Sequence, residues 1–127
     1  MNDGQRQVLL VEDDNELREA LAEALEDAGY EVVAAANGRE GLDKVKGAGS
    51  PSVVLLDLLM PVMNGWEFCE AMRSDPATAR IPIVVMSGAV SRDPQSPYFM
   101  GVDDFIPKPI NMPDLLAKLQ TYLPAAP

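Results

Sequence analysis

Val53-Val54-Leu55-Leu56-Asp57 is an uninterrupted apolar run closed by a carboxylate, the pattern of a central strand covered on both faces. Related patterns recur on either side of it. Val8 to Val11 is a short apolar run ending in Glu12-Asp13-Asp14, and Glu31 to Ala35 reads as a second strand. Downstream, Ile83 to Met86 ends in Ser87, and Asp104 to Ile106 leads to Lys108-Pro109. Helical signals fill the intervals. Leu17, Leu21 and Leu25 recur every four residues with Ala20, Ala24 and Ala28 beside them, and Gly29 stands where a helix C′ residue belongs. Asn37-Gly38-Arg39-Glu40 has the N-cap and N3 spacing of a second helix, ending near Gly47 to Gly49. A third helix, with Phe68, Cys69 and Met72 inward, follows Asn64-Gly65. The last runs from about Met112 to Leu123, with Leu115, Leu116, Leu119 and Leu123 at helical spacing and Pro113 tolerated in its first turn. Alternation of strand and helix implies a parallel sheet with helices on both faces and right-handed crossovers.

The 127 residues have the size of one ordinary domain, with no room for a second catalytic or output domain. The expected core spans about 7–123, between a polar N-terminal tail and a Pro/Ala C-terminal tail that reads as frayed or as the stump of a linker. Ten Lys and Arg against twenty Asp and Glu give a formal charge of −10. That balance disfavours nucleic acid and anionic membrane surfaces as direct partners. One Cys cannot form an internal disulfide, and the lack of His excludes most zinc, haem and Ser-His-Asp chemistry. Chemistry must therefore use carboxylates, hydroxyls or lysine. Met1 to Gln7 lacks the apolar core of a signal peptide and no apolar run reaches transmembrane length, so a cytoplasmic location is expected.

The polar groups that close these strands all sit at the carboxyl ends: Glu12 and Asp13, Asp57, Ser87 and Lys108. In an open parallel sheet those ends form the ligand crevice. Three carboxylates gathered there repel one another unless a cation is present, and hard oxygen ligands that leave room for water suit Mg²⁺. Lys108 supplies a positive charge. A metal and an ammonium to spread charge, a hydroxyl donor and a carboxylate nucleophile are the parts that phosphoryl transfer needs.

Val11-Glu12-Asp13-Asp14, Leu56-Asp57-Leu58-Leu59-Met60-Pro61, Asn64-Gly65, Ser87-Gly88-Ala89 and Phe105-Ile106-Pro107-Lys108-Pro109 together resemble the receiver domain of two-component response regulators, over nearly the whole chain. The resemblance implies a flavodoxin-like, doubly wound five-stranded parallel sheet of order 2-1-3-4-5. It implies that Asp57 accepts a phosphoryl group from a histidine kinase or phosphotransfer protein and that an output protein, which the sequence does not name, reads the result. Asp13 resembles the direct Mg²⁺ ligand, Glu12 its partner acting mostly through water, and the Leu59 backbone carbonyl and Asp57 complete the set. Lys108 resembles the phosphoryl-contacting lysine. Ser87 resembles the hydroxyl residue that closes on the phosphoryl oxygen while the aromatic at Phe105 turns inward, the coupled shift that makes the switch. Beyond its own phosphorylation and dephosphorylation, no enzyme activity is implied. The Lys108-Pro109 peptide is expected cis.

Other readings compete at single positions. Asp14 is read as a helix-dipole and capping residue rather than a ligand. Cys69 and Met72 are read as core filler, Trp66 as a partly buried anchor or a partner contact, and Phe105 also fits plain core packing. Ser87 stands where the family often has Thr, and Phe105 where Tyr is common. Pro94, Pro97 and Gly101 interrupt the segment resembling the family's fourth helix, which is expected short or irregular, with 91–96 as loop. An Asp-nucleophile phosphatase of the haloacid-dehalogenase type would want an acid at position 59, which is Leu, and a cap domain. A degenerate receiver serving only as a docking module is opposed by the intact Glu12, Asp13, Asp57, Ser87 and Lys108 set. Neither a Walker A motif nor GxGxxG occurs, which disfavours nucleotide binding.

Overall fold

The structure, a computed structural model, describes residues 7–47, 51–57, 62–86 and 102–123. Five strands, β1 (Gln7–Val11), β2 (Glu31–Ala35), β3 (Val53–Asp57), β4 (Ile83–Met86) and β5 (Asp104–Ile106), alternate with α1 (Asn15–Asp27), α2 (Gly38–Gly47) and α3 (Gly65–Ser74) and are followed by α4 (Met112–Tyr122). The sheet order is β2-β1-β3-β4-β5, as expected, and every neighbouring pair is parallel. The chain runs from β1 out to β2 and returns across it to β3, so the order reverses between β1 and β3. A crevice opens at the carboxyl ends of these two strands.

Residue alternation along the strands builds two apolar layers. Leu9, Val11, Val54, Leu56, Ile83 and Val85 face α2 and α3, where Val45, Phe68, Cys69 and Met72 meet them. Val8, Leu10, Val53, Leu55, Val84 and Met86 face α1 and α4, where Leu21, Leu25, Leu115 and Leu119 complete the second layer. Every residue of β3 is buried. The continuous apolar run is thus a strand packed on both faces, and each fully buried Leu or Val contributes about 1.5–3 kcal/mol relative to exposure.

Local signals place the helix starts. Asn64 and Glu67 form a reciprocal capping box at α3. Asn37 Oδ1 accepts from Glu40 N–H at 2.9 Å, and Glu40 Oε1 accepts from Ala36 N–H at the same distance. Gly29 leaves α1 with φ 98°, the left-handed geometry that ends helices. Trp66 is partly buried against the α2/α3 layer, which is the anchor reading of the two it had. The expectation of an irregular helix over 90–101 falls outside the described residues.

Val62, in the loop before α3, also has positive φ, at 69°, and is 76 % exposed. A β-branched residue is strained there and gains little from burial. Val62→Gly is therefore expected to stabilise the chain by about 1 kcal/mol, the relieved strain outweighing the extra entropy of glycine in the unfolded state. Urea denaturation checks this: a lower midpoint for the variant contradicts it.

Candidate functional site

Glu12 follows β1 directly, Asp57 is the last residue of β3, and Lys108 comes two residues after β5. Topology alone therefore brings three side chains from distant parts of the chain to one crevice. Lys108 Nζ donates to Glu12 Oε1 at 3.0 Å and to Asp57 Oδ1 at 3.2 Å. Carboxylate oxygens of Glu12, Asp13 and Asp57 lie within 4.8 Å of one another. Glu12 is fully buried, Asp57 is 7 % exposed and Asp13 is exposed. The cluster is closed on the protein side and open toward solvent at Asp13.

Backbone contacts hold this arrangement. Glu12 N–H donates to Ala35 O at 3.0 Å, extending the β1/β2 ladder by one bond, and Asp14 N–H donates to Glu12 Oε2 at 3.1 Å. The Asp14 side chain caps α1 by accepting from Leu17 N–H at 3.2 Å, separating it in role from its neighbours as the sequence suggested. Gly38 N–H donates to Met63 O at 3.2 Å, and a side chain at Gly38 would collide with Met63, so the start of α2 is in direct contact with the loop before α3. The Lys108-Pro109 peptide is cis.

Burial pushes the Glu12 carboxyl up from 4.5 to about 7, and the nearby Asp57 charge adds to this against the Asp14 amide and the Lys108 ammonium. The folded value lies above the ordinary one. Its contribution to stability is fully present below pH 4.5 and is lost as pH rises through about 7. For Lys108, burial acts to lower the value, but the hydrogen bonds and charges of Glu12 and Asp57 outweigh it and hold the ammonium above its ordinary 10.5. Two or three anionic oxygens facing one ammonium leave net negative charge in the crevice. Hard oxygen donors with one side open to water suit a divalent cation such as Mg²⁺.

Beside Lys108 lies a cleft of about 440 Å³ between α1 and the loop before α4, with Leu17, Ala20, Leu21, Pro109, Ile110 and Met112 on its walls. Phe105, on β5, is half-buried against the α2/α3 layer. Ser87, Leu59 and Ala89 fall outside the described residues. Cys69 is buried and burial pushes its thiol up to about 12, which makes it inert packing. Sequence reading missed the guanidinium of Arg18, which donates from Nη1 to the Glu12 backbone carbonyl at 2.8 Å. The available signal was a cation early in α1, where the helix dipole disfavours it.

The doubly wound sheet, with its acidic crevice and lysine at the strand ends, defines the class of the chain. The family model of the response regulator receiver domain matches residues 8–120. The chain belongs to that family, and is a signalling domain of two-component systems. Response regulator MprA of Mycolicibacterium vanbaalenii is 37 % identical over 120 residues, covering 91 % of this chain and 49 % of that protein. Transcriptional regulatory protein CpxR of Escherichia coli K12 is 35 % identical over 117 residues, covering 91 % and 48 %. The chain thus spans about half the length of these curated relatives. Among solved structures, chemotaxis response regulator CheY4 of Vibrio cholerae superimposes with a TM-score of 0.80 at 35 % identity, covering 92 % of this chain and 98 % of that one. TrrA of Thermotoga maritima, in complex with Mg²⁺-BeF, has a TM-score of 0.78 at 30 % identity, covering 93 % and 99 %. Among the described residues no helix is long and apolar enough to cross a membrane.

Proposed function

We propose that this single receiver domain, with its core over about 7–123, accepts a phosphoryl group on Asp57 from a histidine kinase or phosphotransfer protein and so signals to an output partner. The observation that carries this reading is the meeting of Glu12, Asp13, Asp57 and Lys108 at one sheet edge. An Asp57 carboxylate oxygen attacks phosphorus, the donor's bond to phosphorus breaks with its electron pair leaving on the donor, and an acyl phosphate results. Lys108 is placed to follow the charge from the carboxylate to the phosphoryl oxygens.

Glu12, Asp13, Asp57 and the Leu59 carbonyl are the proposed holders of Mg²⁺, which when bound neutralises charge on the transferring group. Ser87 and Phe105 are the proposed switch, the hydroxyl closing on the phosphoryl oxygen as the ring turns inward. The domain catalyses its own phosphorylation and dephosphorylation. The test is incubation with acetyl phosphate, with Mg²⁺ or with excess chelator. Acid-stable, base-labile labelling only with Mg²⁺ is expected; equal labelling in chelator contradicts the cation's role.

The lifetime of the acyl phosphate depends on a water held in line with the phosphorus–oxygen bond. The positions two after Asp57 and two after Ser87 are Leu59 and Ala89. Neither side chain offers a hydrogen bond, and Leu59 is bulky and apolar. Leu59→Asn is expected to speed loss of the phosphoryl group after the donor is removed at saturating Mg²⁺, because an amide can orient water. Decay no faster than the parent contradicts side-chain control at this position.

A further inference from the structure

Of the three clustered acids, Asp13 is held least directly. The Glu12 carboxylate is fixed by Asp14 N–H and Lys108, and Asp57 by its place in β3 and by Lys108. Among the described residues, no hydrogen bond to the Asp13 carboxylate restrains it, and it is exposed. Its position is therefore set by backbone, and the peptide that joins it to Glu12 is gripped from α1. Arg18 Nη1 donates to the Glu12 carbonyl, and Nη2 of the same guanidinium donates to Asn15 Oδ1. The planar fork thus ties the β1–α1 turn to the first turn of the helix at two points, a task for which a single ammonium has the wrong shape.

The location is costly for a cation. Arg18 is the fourth residue of α1, at the positive end of the helix dipole. It is half-buried there, with its Nη1 used on a carbonyl rather than on an exposed acid.

We propose that Arg18 is a positioning residue for the acidic site: by holding the Glu12 carbonyl it fixes the backbone that carries Asp13, and so sets the geometry in which the three carboxylates meet a divalent cation. The inference rests on the cation reading of the site and adds a residue outside the ligand set. Its effect has a distinctive sign. By charge alone, removing a cation next to an acidic cluster tightens Mg²⁺ binding. By positioning, the same removal weakens it, because the ligands are no longer pre-arranged.

Calorimetric titration of the full chain with Mg²⁺ at fixed ionic strength separates the two. Arg18→Ala is expected to weaken Mg²⁺ on the order of tenfold, as loss of a supporting residue around a metal site does. Arg18→Lys, which keeps the charge but not the fork, is expected to weaken it less but measurably, and it carries the test if Arg18→Ala fails to fold. The Asp13 amide resonance of each metal-free variant is expected to shift from the parent position. Affinity equal to or tighter than the parent in the folded variants overturns the positioning role. Absence of saturable Mg²⁺ binding by the parent itself overturns the cation reading instead, so the two failures are distinguishable.

Discussion

Asp57→Asn is expected to abolish phosphoryl incorporation while leaving the fold intact. Asp57 ends β3 at 7 % exposure, with Oδ1 3.2 Å from Lys108 Nζ. An amide has nearly the same shape and still offers a carbonyl oxygen to the ammonium, but it is no longer a nucleophile. Removing one of three clustered negative charges also relieves repulsion, so the metal-free variant should unfold no more easily than the parent. Labelling by acetyl phosphate, read beside a thermal melt, checks both halves. Labelling at the parent level would overturn the assignment of Asp57; lost labelling with a lost melting transition would instead indicate an unfolded chain.

The second large effect concerns neighbours in sequence that the structure separates in role. Asp13 shares the cluster with Glu12 and Asp57, whereas Asp14 caps α1 through Leu17 N–H. Asp13→Ala should weaken Mg²⁺ by more than about tenfold, since affinity for such ions follows the count of charged oxygen ligands. Asp14→Ala should leave that affinity near the parent value and lower stability by about 1 kcal/mol through the lost cap. The stability changes should differ in sign as well, with metal-free Asp13→Ala gaining stability as repulsion falls. Equal Mg²⁺ affinities for the two variants contradict the division.

The separation of Asp13 from Asp14 was legible because capping has a local spacing rule, with the acceptor three residues before its donor. Local patterns likewise gave the Asn37 cap, Gly29 and the apolar runs that became β1, β3 and β4, whereas the capping box at Asn64 emerged only in the structure. Periodicity of this kind reports which face of an element is buried. It carries no information on which distant element lies opposite, so the order 2-1-3-4-5 and the roles of the strand-end residues came from the resemblance rather than from spacing. The ion pair of Lys108 with Glu12 joins residues 96 positions apart, and only the parallel topology brings them together. Arg18 was missed for a different reason: its place early in α1 marks it only as unusual, and its acceptor is a backbone carbonyl, which every residue possesses. The left-handed Val62 was missed because a β-branched residue ordinarily argues against that conformation.

The proposed product of phosphoryl transfer is an acyl phosphate on Asp57 itself. Reductive trapping with borohydride after acetyl phosphate and Mg²⁺, followed by digestion and mass spectrometry, reads this directly, because hydride reduces an acyl phosphate to the alcohol and releases phosphate. Homoserine at position 57, dependent on Mg²⁺, is expected, with Glu12 and Asp13 unchanged. Reduction at another carboxylate, or none at 57 in a chain that takes up label, would contradict it.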